Sequence, residues 1–519
     1  EEILQRSRAA GRLTLLVAGR PYHADPLIQH KISDMIASMG VDVITDDIVR
    51  GEDISLENTH FVAQWSYPNR ILKAAIWTAR QDEQVQFVEM TSFGCGPDAA
   101  LTDEVRETLG RYGKSNTLLK IDDVSNTGSL KLRIRSVIES LKLEHTATSA
   151  VQPFVSTPHF EKKDRSRKIL VPFFTPFISP LIPVLMKRAG YDAENMPLSN
   201  ENSIEAGLQY ANNEICYPAT LIVGDIVTAL KSGRYDPNHT AVAITQTGGQ
   251  CRASNYIALI RRALVNAGFA EVPVISVSPG SGLKNEQPGF QIPWLHITRA
   301  IIGSILFTDA LARIYCATAV RETTPGEARK LHTAYTEKAA RIAAHEPESK
   351  ILRAFEHLLE EAVADFSRIC ETKTCPRVGI VGEIYLKFNP FAQKGLSSWL
   401  IEHHIEAVPP ALTDFFMQGF INYEVKRRSD LGSPRIPVWL MRKASGHMHR
   451  IVSRFNGIAS GFPYFLPFGN VFEEASAASE ILSLNAQFGE GWLLPGEIAS
   501  FARHGVNNII SLQPFGCIA

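Results

Sequence analysis

Seven short apolar runs constrain this chain most. Each stops at a glycine- or proline-bearing turn, and amphipathic helices alternate with the runs. They are LTLLVAG (13–19), VQFVEM (85–90), KILVPFF (168–174), TAVAITQ (240–246), VPVISVS (272–278), RVGIVGE (377–383) and NNIISLQ (507–513). Runs this continuously apolar suit strands buried on both faces, as in a parallel sheet. Parallel neighbours need crossover connections, and the intervening helices supply them. The expected fold class is therefore α/β: several doubly wound, Rossmann- or flavodoxin-like lobes with parallel sheets, plus a helical insert. In such lobes the functional loops gather at the carboxyl ends of the strands.

A chain of 519 residues calls for several domains. Residues 1–145 read as one α/β lobe and 169–294 as a second. Residues 146–168 lack periodicity, hold Pro, Ser and Thr and then charge, and read as a linker. Residues 295–375 carry Ala, Leu, Glu, Arg and Lys at helical spacing and read as a helical segment. Residues 376–519 form a third lobe.

The first and third lobes look like copies of one module. LLVAGRPYHADP (15–26) and GIVGEIYLKFNP (379–390) share a strand, Gly19 or Gly382, Tyr22 or Tyr385, and a closing Asp-Pro or Asn-Pro. A helix follows each, then VDVITDD (41–47) or IEAVPPALTD (405–414), and each copy ends in Phe-Gly-Cys. The second carries an insert near 414–470. Both ends look cut: a partner of the 169–294 lobe is expected before Glu1, and a helix is expected after Ala519.

Bulk charge narrows the function. With 53 basic and 54 acidic residues the formal net charge is -1, which supports neither a nucleic-acid surface nor a polybasic membrane patch. No apolar run reaches 18 residues, so no membrane span is expected. Seven cysteines are too sparse for a disulfide scaffold and odd in number, so a cytoplasmic location is expected.

Four of those cysteines share a setting. Cys216 lies in NNEICYPA, Cys251 in QTGGQCR, Cys517 in QPFGC and Cys95 in SFGCG. Three of them follow strands, and glycine or a turn residue stands beside each. Thiolates suit iron–sulfur clusters and zinc. Structural zinc sites favour C-x-x-C pairs, which these cysteines lack. Glycines such as Gly249 and Gly516 would let backbone approach a bulky cluster and offer N–H groups to its sulfides. Small buried residues at tight βα turns would explain the same pattern, and spacing alone leaves both readings open. Arg252 could balance a thiolate-bound cluster or hold an anion; a solvent-facing arginine at a helix start is the alternative. Glu214 reads as a helix-capping group rather than a proton donor. His23 and Tyr22, after a strand-end glycine, are expected to line a cleft. Cys316 reads as core, and Cys370 and Cys375, a C-x4-C pair, as surface or core thiols. No GxxxxGK[ST] string occurs, so no P-loop is expected.

Several long strings together resemble a known family. NNEICYPATLIVGDIVTAL, AITQTGGQCRASNYIALIRRAL, VGIVGEIYLKFNP, NAQFGEGWLL and SLQPFGC are similar to the large proteins related to 2-hydroxyacyl-CoA dehydratases and their activases. The resemblance extends to dehydratase D-component-like and double-cubane cluster modules. It implies a [4Fe-4S] cluster bound through three cysteines per module, a double cubane being the variant. On the family's motif Cys216, Cys251 and Cys517 match the three ligands, and Cys95 matches the third ligand of a preceding module. Gly489-Glu490-Gly491-Trp492 matches a loop near the cluster lobe. The resemblance also implies ATP use only through a separate activase-type ATPase domain or subunit. An acyl-CoA substrate, an anaerobic lyase or ATP-dependent reductase activity, and pairing as a dimer or between modules are implied too. The alternative is a non-catalytic electron-transfer or scaffold module; a weaker one is a zinc-stabilised or metal-free binding protein.

Overall fold

The structure, a computed structural model, describes residues 1–92, 96–121, 127–143, 150–212, 214–246, 251–277, 287–431, 436–487, 489–515 and 517. The chain divides into two compact units. One comprises Glu1–Thr157, Leu208–Thr220 and Gly248–Ala270, and the other Pro158–Gly207, Leu221–Thr247 and Glu271–Ala519.

The first unit is built on one parallel sheet. Its strands are β1 (Thr14–Ala18), β2 (Asp42–Thr45), β3 (Val85–Thr91) and β4 (Asn116–Lys120), in the order β2-β1-β3-β4. Leu16 stands opposite Ile44 on one side and Phe87 on the other. Every residue of β1 and β3 is buried, because helices cover both faces. Leu16, Ala18 and Phe87 pack with the helices Ser66–Ala79 and Gly96–Gly110. Leu15, Val17 and Val88 pack with Ile32, Ile36, Ile134 and Ile138 from the helices Ile32–Ser38 and Thr127–Leu143. Truncating a side chain such as Leu16, which is fully buried, costs about 2–5 kcal/mol. This is the doubly wound α/β architecture the apolar runs imply.

The second unit holds two parallel sheets. One contains β5 (Lys168–Val171), β6 (Ala193–Asn195), β7 (Thr240–Thr245) and β8 (Val274–Val277), in the order β6-β5-β7-β8. The other contains β9 (Arg377–Gly382), β10 (Glu406–Val408) and β11 (Asn508–Leu512), in the order β10-β9-β11. The helices Thr298–Ala319, Glu327–His345, Ile351–Arg368 and Val438–Ala459 share one core with Phe307, Phe355, Phe366 and Phe455 fully buried. Thr298–Ala319 is long and apolar enough to cross a membrane, but 78% of its apolar window is buried in this core. Upstream of β5, Phe160 is fully buried and its N–H donates to Gln287 Oε1 at 2.7 Å.

The two repeat copies use the same turn device after the central strand. Asp25 Oδ1 accepts from Leu27 N–H at 2.8 Å, and Asn389 Oδ1 accepts from Phe391 N–H at 3.0 Å. Gln29 Oε1 accepts from Ser33 N–H at 3.1 Å and Oγ–H at 2.7 Å; Gln393 and Ser397 repeat both distances. β1 lies between β2 and β3, as β9 lies between β10 and β11.

Candidate functional site

In the first unit the carboxyl ends of β1, β3 and β4 carry a group of charged and thiol side chains. After β1, Arg20 reaches Asp98 Oδ1 through Nε at 2.9 Å and Nη2 at 2.6 Å. Asp98 lies in the first turn of Gly96–Gly110 and also accepts from Thr91 Oγ1 at 3.2 Å, so it ties the β1 loop to the end of β3. His23 is buried, its Nδ1 accepting from Arg20 N–H at 3.1 Å and its Nε2 lying 3.3 Å from Ser92 Oγ. Gly19 is required here, since a Cβ would lie 2.7 Å from His23 Nδ1. Tyr22 is exposed. Of the expected cleft-lining pair, His23 anchors the loop and Tyr22 faces solvent.

Cys216 and Cys251 belong to the same unit. Cys216 immediately precedes the helix Tyr217–Lys231, and its carbonyl accepts from Thr220 N–H at 3.3 Å. A helix N-terminus favours a thiolate over a thiol. Cys216 is buried, with Sγ 2.8 Å from Tyr256 Oη. Tyr256 opens the helix Tyr256–Asn266, and Cys251 caps the short 3-10 turn Arg252–Asn255 that leads into it. The two cysteine segments are thus joined through Tyr256. Arg252 joins them again, Nη1 donating to Glu214 O at 3.2 Å.

Arg252 is buried, which settles its reading against a solvent-facing side chain. Its guanidinium fills the space over Gly96, where a Cβ would lie 1.6 Å from Arg252 Nε. Only glycine allows this approach, and it stands next to Cys95 in sequence. The Glu214 carboxylate pairs with Lys120 at the end of β4.

Cys95, Gly249 and Gly516 lie outside the described residues. Cys517 belongs to the second unit, half-buried, with its N–H donating to Pro514 O at 3.0 Å in a turn after β11. The other thiols sit apart from this chemistry. Burial pushes Cys316 up to about 12 and Cys370 up to about 11, so both stay protonated. Cys375 is buried, its Sγ–H donating to Val320 O at 3.8 Å.

The second unit hides a different constellation near the carboxyl end of β9. Lys387 and Glu497 form a fully buried ion pair, Nζ lying 3.0 Å from Oε1 and 3.3 Å from Oε2. Around them stand Arg313, Glu383, Asp414, Glu474 and Glu490. Burial drives these carboxyls upward: Glu490 to about 7, Glu474 to about 7 with Glu497 adding to the rise, and Asp414 well above its ordinary range. Burial also opposes the charge on Lys387, but Glu497 and Glu490 outweigh it and hold the amine protonated. Arg313 donates to the Leu466 and Pro467 carbonyls at 2.8 and 2.7 Å. A cavity of about 10 Å³, close to one water in size, lies among Arg313, Asp414, Glu474, Glu497 and Ser500. Two cations face five carboxyls, and burial pushes every one of the five above its ordinary range. Sequence reading singled out only Glu490, through its loop; Glu474 and Glu497 carry no motif.

Fold and site together define an α/β protein of parallel sheets in which buried Cys216 and half-buried Cys251 sit on segments joined through Tyr256 and Arg252. Residues 1–49 match the family described as CoA enzyme activase uncharacterised domain (DUF2229), and this stretch is related to the CoA-enzyme activases. No curated protein and no solved structure matches the chain.

Proposed function

We propose that the chain is an iron–sulfur module of a CoA-enzyme activation system, similar to 2-hydroxyacyl-CoA dehydratase subunits. The observation that carries this reading is that Tyr256 and buried Arg252 join the Cys216 and Cys251 segments, with the Arg252 guanidinium packed over Gly96. Two thiols on loop and helix starts, a buried cation and a glycine that permits close approach fit a bulky, negatively charged thiolate centre. Cys216 and Cys251 would hold the group, together with a third thiolate. When bound, a [4Fe-4S] cluster supplies low-potential one-electron transfer.

The chain's own residues then do the rest. Tyr256 Oη hydrogen-bonds the Cys216 sulfur and fixes its rotamer. Arg252 offsets the charge of the thiolates. Arg20 and Asp98 lock the β1 loop against the helix that follows Cys95. The match over residues 1–49 supports an activase-type ATPase as the partner that delivers the electron. The proposed substrate is a 2-hydroxyacyl-CoA or a related thioester.

The test supplies anaerobic protein with an activase, ATP and a 2-hydroxyacyl-CoA. Loss of the hydroxyl from the thioester, dependent on ATP and absent in Cys216→Ala, is the expected result. ATP-driven reduction of the protein without any conversion of thioester would instead establish an electron carrier or scaffold.

A further inference from the structure

A second group of ligand-type side chains lies in the first unit, on the loop before Ser66–Ala79 and on the helix Gly96–Gly110. His60 comes from the loop, and Glu104 and Glu107 come from the helix. The two glutamates are three residues apart and so share a helix face. His60 Nδ1 lies 3.8 Å from Glu104 Oε2 and 3.8 Å from Glu107 Oε1. One ligand atom from each residue lies within 4.8 Å of the others.

These distances are too long for hydrogen bonds. Neither ring nitrogen of His60 has a hydrogen-bond partner, although the side chain is only 1% exposed. Leaving a buried polar group unsatisfied costs about 1–3 kcal/mol, so native structures seldom do it without a reason. A metal ion supplies one. With metal–ligand bonds of ~2.1 Å, neighbouring ligand atoms stand roughly 3.0–3.4 Å apart. Closing each 3.8 Å gap from the imidazole to that spacing takes roughly 0.4–0.8 Å, shared between the two side chains.

The surroundings hold the ligand atoms in place. Glu104 is held in place because its Oε1 accepts the His60 backbone N–H at 2.9 Å, which leaves Oε2 aimed at the ring. Phe154 packs on the imidazole with centroids 4.8 Å apart. The Val155 carbonyl acts on the ring without reaching hydrogen-bond geometry, and metal-bound histidines commonly direct their second nitrogen to such a carbonyl. Arg262, Arg261 and Arg111 lie nearby. Two of those arginines have other partners: Arg262 pairs with Asp103, and Arg111 donates to Asn58 O at 3.0 Å. Glu107 is 29% exposed at its side chain, which leaves a path for the ion and for a water ligand.

We propose that His60, Glu104 and Glu107 bind a divalent transition-metal ion, Zn2+ before Mn2+, that staples the loop carrying His60 to the helix Gly96–Gly110. One imidazole and two carboxylates match borderline zinc chemistry, with a water completing a tetrahedron. This site is independent of the thiols, and the test must separate the two. The host is therefore the full chain carrying Cys216→Ala and Cys251→Ala. Zn2+ titration at neutral pH, followed by calorimetry and by thermal melting, should show about one site and a rise in melting temperature. Co2+ in the same host should give visible d–d bands without the sulfur-to-cobalt charge-transfer band. Glu107→Gln, at a partly exposed position, should weaken Zn2+ binding at least tenfold. His60→Gln should abolish it. Unchanged Zn2+ affinity in both variants, or no binding by the host, would overturn the proposal.

Discussion

Replacing Glu490 by Gln should stabilise the protein at alkaline pH and leave it unchanged in acid. Glu490 is 2% exposed, and its Oε1 has no hydrogen-bond partner. Its loop cannot swing it outward easily. Gly489 and Gly491 both have positive φ, and a Cβ on Gly491 would lie 2.1 Å from Ala486 O. Burial raises the carboxyl from 4.5 to about 7; Lys387 opposes the rise, and Glu383 and Glu497 add to it. The folded protein thus binds this proton more tightly than the unfolded chain does. Between pH 4.5 and about 7 the folded state carries the extra proton, and stability falls as pH climbs through that window. Above it the loss is complete. At roughly 1.4 kcal/mol for each pH step, the loss is about 3 kcal/mol. Gln keeps the shape without the ionisation. Urea unfolding of wild type and Glu490→Gln at pH 5 and pH 8 measures the difference. Near-equal stability at pH 5 and a variant more stable by about 3 kcal/mol at pH 8 is the expected pattern. A variant less stable than wild type at pH 8 would refute the reasoning, because the charge would then be stabilising Lys387 more than burial penalises it.

Other positions give sharper structural tests. Lys387→Met leaves Glu497 in the interior without its cation and should cost about 3–5 kcal/mol, whereas Lys387→Met with Glu497→Gln should recover much of the loss in thermal melts. Gly382→Ala puts a Cβ 2.0 Å from Leu512 O at a φ of 133°, so the β9–β11 pairing must shift; a melting temperature within a degree of wild type would contradict that geometry. Gly96→Ala must displace the Arg252 guanidinium, costing about 1–3 kcal/mol; metal content measured anaerobically should fall with it, and full loading would show that Arg252 is dispensable to the site.

All five central strands read as apolar runs, and so did the edge strands β8 and β11. β1 and β3 are buried at every residue and read as apolar runs. β4 (NTLLK) and β6 (AEN) lie at sheet edges, mostly half-buried, and gave no such signal. The repeat was legible because its turn depends on short-range side chains, Asp25 or Asn389 and Gln29 or Gln393, that recur at matched spacing. Cysteine frames were legible because glycine and turn residues flank them. Arg252 was half legible: its place beside Cys251 was visible, but its burial over Gly96 comes from a contact across 156 residues of chain. His60, Glu104 and Glu107 carried no signal at all. They join a loop to a helix 44 residues on, and two acids on a helix look like a solvated face until the fold buries Glu104 and turns His60 toward both.

The most direct test of the central claim is the iron and sulfide content of protein purified without air, for wild type and for single alanine variants of Cys216, Cys251, Cys95 and Cys517. The account predicts brown wild-type protein with near-equal iron and sulfide. It predicts loss of both in Cys216→Ala and in Cys251→Ala, with the fold retained by circular dichroism. Whichever of Cys95→Ala and Cys517→Ala also bleaches the protein identifies the third ligand. Colourless wild-type protein, or iron content unchanged in both Cys216→Ala and Cys251→Ala, would contradict the account.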